Sequence, residues 1–215
     1  MKTILLKDAV ALIPDGATVM IGGFMGVGTP ERLVDELVRQ GKRNLTVIAN
    51  DNALPGIGIG KLISAGAVKK TIASHIGLNP ETQKKMLAGE LEVDLVPQGT
   101  LIERIRAGGF GLGGVLTSTG VGTVVEKGKQ RIEVDGKPYL LETALRADFA
   151  LVHAFLADYI GNLYYALTAR NFNPVIAMAA DTVIVEADNI VPVGVIAPDQ
   201  VMTPAPVVDY IISHA

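Results

Sequence analysis

Short apolar runs alternate with amphipathic stretches through the first hundred residues. Ala17-Thr18-Val19-Met20-Ile21 predicts a buried strand ended by Gly22-Gly23. Thr29-Pro30-Glu31-Arg32 then predicts a helix start, with Thr29 as N-cap and Pro30 in the first turn, where no amide donor is missed. Leu33, Val34, Leu37 and Val38 share one face of that helix, and Gly41 suits a left-handed stop. The period recurs. Leu45-Thr46-Val47-Ile48-Ala49, Val68-Lys69-Lys70-Thr71-Ile72-Ala73 and Leu91-Glu92-Val93-Asp94-Leu95-Val96 read as strands, and Asn79-Pro80-Glu81 caps a helix that Gly89 stops. Thr100 and Glu103 have capping-box spacing for a further helix running to about Ala107. Strands separated by helices imply βαβ units and an α/β fold: a mainly parallel open sheet flanked by helices.

The pattern breaks between Gly108 and Thr123, where Gly108-Gly109-Phe110-Gly111-Leu112-Gly113-Gly114 and Gly120-Val121-Gly122 predict a long loop region. Loops of that length in compact domains are functional or flexible. Gln130-Arg131-Ile132-Glu133-Val134, Asp135-Gly136 and Pro138-Tyr139-Leu140-Leu141 predict a hairpin on a primed turn. Two more strands are expected at Phe149-Ala150-Leu151-Val152-His153-Ala154 and Thr182-Val183-Ile184-Val185-Glu186. No fixed-period repeat or low-complexity linker divides the chain, so residues 1–215 read as one domain carrying a glycine loop and hairpin insertion.

Composition narrows the chemistry. The 215 residues are 49% hydrophobic and 19% charged, which excludes disorder and leaves apolar surface that a partner subunit could cover. Cysteine is absent, excluding disulfides, thiolate metal sites and a cysteine nucleophile. Only His75, His153 and His214 offer imidazole, too widely spaced for a metal pair, so no metal site is expected. A net charge of −3 without tryptophan argues against nucleic acid. No apolar run reaches the ~18 residues of a membrane span. Asp8 falls where a signal peptide keeps its apolar centre, so a cytoplasmic protein is expected.

Gly22-Gly23-Phe24-Met25-Gly26-Val27-Gly28, between a strand and a helix start, reads as an anion or nucleotide seat or as a tight βα turn. It carries neither the Lys-Ser/Thr of a P-loop nor G-x-G-x-x-G spacing. Gly109, Gly111 and Gly114 match that spacing, but a helix precedes them and a strand-like run follows, so the match is taken as chance. Asn50, Asp51 and Asn52 follow a strand, as does Gln98, which places amides at the carboxyl edge where α/β sheets bind ligands; an Asx turn is the plainer alternative. His75 reads as a satisfied polar residue, and His153 lies in an apolar strand. Glu103, Glu126 and Glu142 read as acids on a solvated face, and Arg104, Arg106, Arg146 and Arg170 as surface ion-pair formers or phosphate contacts. No residue stands out as a nucleophile.

The Gly22–Glu31 segment with Asp15–Ile21 before it resembles the α-subunit signature of the family I coenzyme A transferases. Further blocks carry the resemblance: Asn50-Asp51, Pro97 to Gly109, Thr119 to Thr123, Arg146-Ala147-Asp148 and Thr168-Ala169-Arg170-Asn171-Phe172-Asn173-Pro174. The resemblance implies an α/β fold of that family's type and transfer of CoA between a short-chain acyl-CoA and a free carboxylate, of the acetate/acetoacetate kind. In that chemistry a glutamate attacks the thioester, and CoA is a substrate, with no further cofactor. The family places this glutamate in a Ser-Glu-Asn-Gly-type motif of the β subunit. This sequence lacks the motif, so no catalytic residue is expected here. Gly22, Gly23, Phe24, Met25, Gly26, Val27 and Gly28 then correspond to a CoA-binding segment. Asn50, Asp51 and Gln98 correspond to substrate contacts, with an acid at 51 where the family carries a second asparagine. A β-subunit partner in an α2β2 assembly is implied. Two other readings stay open: a non-catalytic small-molecule-binding or sensor module, and a sugar-phosphate isomerase, for which no acid–base pair is found.

Overall fold

The computed structural model describes residues 2–213; Met1, His214 and Ala215 lie outside the described residues. Strand β1 (Lys2–Ile4) and helix α1 (Leu6–Ala11) lead into β2 (Thr18–Ile21), α2 (Glu31–Arg39), β3 (Leu45–Asp51), α3 (Ile59–Ser64), β4 (Val68–His75), α4 (Pro80–Leu87), β5 (Glu92–Leu95) and α5 (Gln98–Gly109). Three strands of a smaller sheet follow, β6 (Gly114–Thr117), β7 (Arg131–Val134) and β8 (Lys137–Thr143). The chain closes with β9 (Ala147–Asp158), β10 (Leu163–Tyr164), α6 (Asn173–Ile176), β11 (Ala180–Val191) and β12 (Tyr210–Ile212).

The main sheet runs β1-β12-β11-β9-β2-β3-β4-β5, parallel throughout, with β10 antiparallel on β9. Side chains alternate between its faces. Val19 and Ile21 of β2 pack with Leu33, Val34 and Leu37 of α2 and with α1 and α3. Met20 packs on the opposite face with Leu101 and Ile105 of α5 and Val175 and Ile176 of α6. Val38, expected on the buried face of α2, lies at its rim, 36% exposed. The result is a helix–sheet–helix sandwich, with β6-β8-β7 as a separate antiparallel sheet.

The order of strands positions the site. From β2 the chain steps outward through β3, β4 and β5, then returns to lay β9 on the other flank of β2. Such a reversal splays the connections apart and opens a crevice at the carboxyl edge. The glycine loop, Asn50-Asp51 and Gln98 all lie at that edge, following β2, ending β3 and following β5.

Several local expectations need correction. Helix α2 begins at Glu31 with Pro30 as its cap residue, and Thr29 makes no capping bond. The carboxylate of Glu186 on β11 does that work, accepting from the amides of Arg32 at 3.2 Å and Leu33 at 2.9 Å. Helix α5 likewise starts at Gln98, before the expected Thr100, and Glu103 pairs with Arg106. The Gly108–Thr123 region is not one loop: α5 runs through Gly109, and Gly114–Thr117 form β6 against β8. Glu142 is no surface acid. It is 2% exposed and is paired with Lys129.

Burial pushes the Glu186 carboxyl above its ordinary value of 4.5, outweighing the two amides, His153 and Arg32, which pull it down. The folded chain therefore holds this proton more tightly than the unfolded chain, and stability falls as pH rises from 4.5 through the raised value. Glu186→Gln does not titrate, so its melting temperature should gain on the wild type as pH climbs through that window. A pH-independent offset between the two melting curves would contradict this.

Candidate functional site

Asp51 ends β3 with its carboxylate turned into the protein. Its Oδ1 accepts from the Ala53 amide at 2.7 Å, and its Oδ2 accepts from the Met25 amide at 3.0 Å and from Asn50 Nδ2 at 2.6 Å. Met25 and Ala53 both have φ of +50°, a left-handed backbone that non-glycine residues adopt at a cost. The carboxylate holds both turns in place with charge-assisted bonds, the stronger kind. The glycine loop is thereby fastened to the end of β3.

A second link continues the chain of bonds outward. Asn50, 2% exposed, accepts from Gln98 Nε2 at 2.5 Å through its Oδ1. Gln98 is the first residue of α5 and is exposed, so its amide is the solvent end of a relay running Gln98, Asn50, Asp51, Met25. An amide held by a buried partner presents its remaining donor in a fixed direction, which suits recognition of a carboxylate or a thioester carbonyl.

The glycine loop is packed by its own chain. A Cβ on Gly22 would sit 1.8 Å from Asn173 Oδ1, and one on Gly28 would sit 2.4 Å from the carbonyl oxygen of Ala169. Asn171 accepts from the Gly23 amide at 3.1 Å and donates to the Val27 carbonyl at 2.9 Å. Asn173 donates to the Gly28 carbonyl at 2.9 Å and accepts from the His153 amide at 3.0 Å. The start of α2 does not offer its Arg32 and Leu33 amides to an anion, because Glu186 already occupies both. Phe24 and Val27, both exposed, instead wall a cavity of about 680 Å³ with Leu167, Thr168, Arg170 and Asn171.

The remaining polar residues sort by position. His75 stands exposed at the end of β4, opposite Asp51 in register, and its ring makes no hydrogen bond to a described residue, unlike the satisfied group expected. His153 contacts Asp188 at 3.0 Å, while its buried Nδ1 has no hydrogen-bond partner among the described residues. Asn52 faces inward, accepting from Thr71 at 2.9 Å. Arg104 binds the Thr143 carbonyl, Arg106 pairs with Glu103 and Arg146 with Asp181, whereas Arg170 makes no ion pair with a described residue. Carboxylates near the edge are committed: Glu31 accepts from the Gly58 amide and pairs with Lys61, and Asp158 accepts from the amides of Ile160, Gly161 and Asn162. Among the described residues, no cluster of three or more acidic or histidine side chains is placed to hold a metal ion, and no helix is long and apolar enough to cross a membrane.

Sequence reasoning assigned no separate task to Glu186, Asn171 or Asn173. An acid directly after the apolar run Val183-Ile184-Val185, within the same strand, was a signal, because a buried carboxylate needs donors. The two asparagines gave none locally, since the glycine-loop groups they hold lie more than 140 residues away in the chain.

The family model for coenzyme A transferase matches residues 3–214. The chain is 59% identical over 211 residues to the acetate CoA-transferase subunit alpha of Escherichia coli K12, covering 98% of this chain and 96% of that protein. It is 54% identical over 213 residues to the acetoacetyl-CoA:acetate/butyrate CoA transferase alpha subunit of Clostridium acetobutylicum, covering 99% and 98%. Among solved structures, the acyl-CoA transferase YdiF of E. coli O157:H7, in a thioester complex with CoA, superposes with a TM-score of 0.87 at 25% identity. That match covers 98% of this chain and 46% of YdiF, so this chain spans about half of the longer enzyme.

Loss of the Asp51 carboxylate strands three donors. Asp51→Ala should lower the unfolding free energy by about 3 kcal/mol, and Asp51→Asn by about 1 kcal/mol, because its amide oxygen keeps part of the network. Urea unfolding checks this; equal midpoints for Asp51→Ala and wild type would contradict it.

Proposed function

Because the chain belongs to the coenzyme A transferase family, we propose that it is the α subunit of a short-chain acyl-CoA:carboxylate CoA-transferase of the acetate/acetoacetate type. It works with a β subunit, in an α2β2 assembly, in the cytoplasm where acyl-CoA is found. The observation that carries this reading is the state of the carboxylates at the site edge. Asp51, Glu186, Glu31 and Asp158 are each bound to amides or cations of the same chain, leaving none of the four free to attack. The identity of 59% to an alpha subunit supports the same division of labour.

In this reading a glutamate of the partner attacks the thioester carbonyl. The tetrahedral intermediate expels the CoA thiolate and leaves an acyl-glutamyl anhydride. The thiolate then attacks the glutamyl carbonyl, releasing the first carboxylate and leaving a glutamyl-CoA thioester. The second carboxylate repeats these steps in reverse order, so thioester energy is conserved without a further cofactor.

This chain supplies binding and orientation. Gly22 to Gly28 border the CoA-bearing substrate, with Phe24 and Val27 offering apolar surface and Met25 tied to Asp51. Gln98 donates its amide to the substrate carboxylate or the developing oxyanion. Asn50 fixes the direction of Gln98, and Asp51 acts behind both. The acid at 51 is compatible with an anionic substrate because its oxygens are occupied by N–H donors.

The lone chain should show no CoA transfer between acetoacetyl-CoA and acetate, and adding the β subunit should restore it. Within the complex, Gln98→Ala should lower turnover about 10- to 1000-fold, the range for loss of a positioned donor. Activity from the lone chain, or unchanged kinetics for Gln98→Ala, would contradict the assignment. Tight CoA binding by the lone chain, with an inactive complex, would favour a binding module.

A further inference from the structure

The 3-10 turn Leu167–Arg170 and the residues after it have no task in the reaction just described, yet they hold the glycine loop in two places. Asn173 is fully buried and is spent on the Gly28 and Ala169 carbonyls, at 2.9 and 2.8 Å, and on the His153 amide. It is a core tie. Asn171 is placed differently. Its Oδ1 accepts from Gly23, 148 residues away in sequence, and from Phe172 at 2.6 Å. Its Nδ2 donates to Val27 and also faces the Thr168 and Ala169 carbonyls at 3.1 and 3.2 Å. The same side chain lines the cavity of about 680 Å³ between Phe24 and Val27 on one wall and Leu167, Thr168 and Arg170 on the other. One amide therefore joins both walls and sets the width between them.

The bonding within the loop shows what this achieves. The amides of Gly22, Gly23, Phe24, Met25, Val27 and Thr29 all have acceptors in the chain, whereas those of Gly26 and Gly28 donate to none among the described residues. Both free amides flank Val27, whose carbonyl Asn171 grips. The Val27 carbonyl and the Gly28 amide share one peptide plane, so the bond from Asn171 fixes that donor directly, and its bonds to Gly23 and Val27 hold both ends of the short segment that carries the Gly26 amide.

We propose that Asn171 is a positioning residue: it sets the path of Gly23–Val27 so that the Gly26 and Gly28 amides and the Phe24–Val27 wall meet the acyl-CoA in a fixed geometry. The proposal rests on the reading that this loop borders the CoA substrate. Displacement of reacting groups by about 1 Å costs on the order of 100-fold in rate, so a loosened loop should act on turnover more than on binding.

The test uses the assembled complex with its β subunit. Asn171→Ala should lower kcat about 10- to 100-fold while KM for acetoacetyl-CoA stays within about threefold. Amide hydrogen exchange across residues 22–29 should accelerate, and the melting temperature should drop by less than about 4 °C. Asn173→Ala serves as the structural comparison, with a larger loss of melting temperature. Wild-type kcat in Asn171→Ala, or loss only in proportion to unfolded protein, would overturn the proposal while leaving the transferase reading intact. A wild-type complex that transfers no CoA would overturn the transferase reading, and the proposal with it.

Discussion

A buried carboxylate must be matched by donors, and at this sheet edge that requirement is met entirely from within the chain. Asp51 accepts from two backbone amides held at positive φ and from the neighbouring asparagine. Glu186 accepts from the first turn of α2. Each bond stabilises the anion and lowers its nucleophilicity, because a lone pair engaged by an N–H is not available to a carbonyl carbon. The edge is thus rich in acids and poor in attacking groups. The exposed Gln98 amide and the Gly26 and Gly28 amides are donors, suited to receiving charge that another group generates.

The fold makes this arrangement from ordinary parts. Reversal of strand order beside β2 brings the glycine loop between the end of β3 and the long strands β9 and β11. In a phosphate-binding loop, glycines and a helix N-terminus would leave amides open to a ligand. Here the same elements are closed by the chain itself: Glu186 fills the helix terminus, and Asn173 and the Ala169 carbonyl occupy space that side chains at Gly22 and Gly28 would take. The small residues serve internal packing first, and the ligand meets what remains.

Much of the sheet was legible because buried parallel strands must be apolar and their connections need distinctive stops. The expected hairpin turn at Asp135-Gly136 has positive φ at both residues, and Asn79 caps α4 by accepting from Thr82. The short strands β1, at the sheet edge, and β12, beside it, were not legible, since three residues of either carry too little pattern. Capping-box spacing at Thr100 misled because Pro97, which has no N–H to leave unpaired, already starts α5 at Gln98. Within the site, residue types at strand ends indicated Asn50 and Gln98 as amides at one edge. Their direct bond, the inward turn of Asp51 and the grip of Asn171 on a loop 144 residues away depend on topology, which local pattern does not encode.

In the proposed function this chain shapes and orients the substrate while a partner's carboxylate attacks. Intact-mass and peptide mass spectrometry of the assembled complex, quenched during turnover with acyl-CoA, reads out directly which chain becomes covalently modified. The expected result is a CoA or acyl adduct on a glutamate of the partner subunit and an unmodified mass for this chain. An adduct on any glutamate or aspartate of these 215 residues would contradict it.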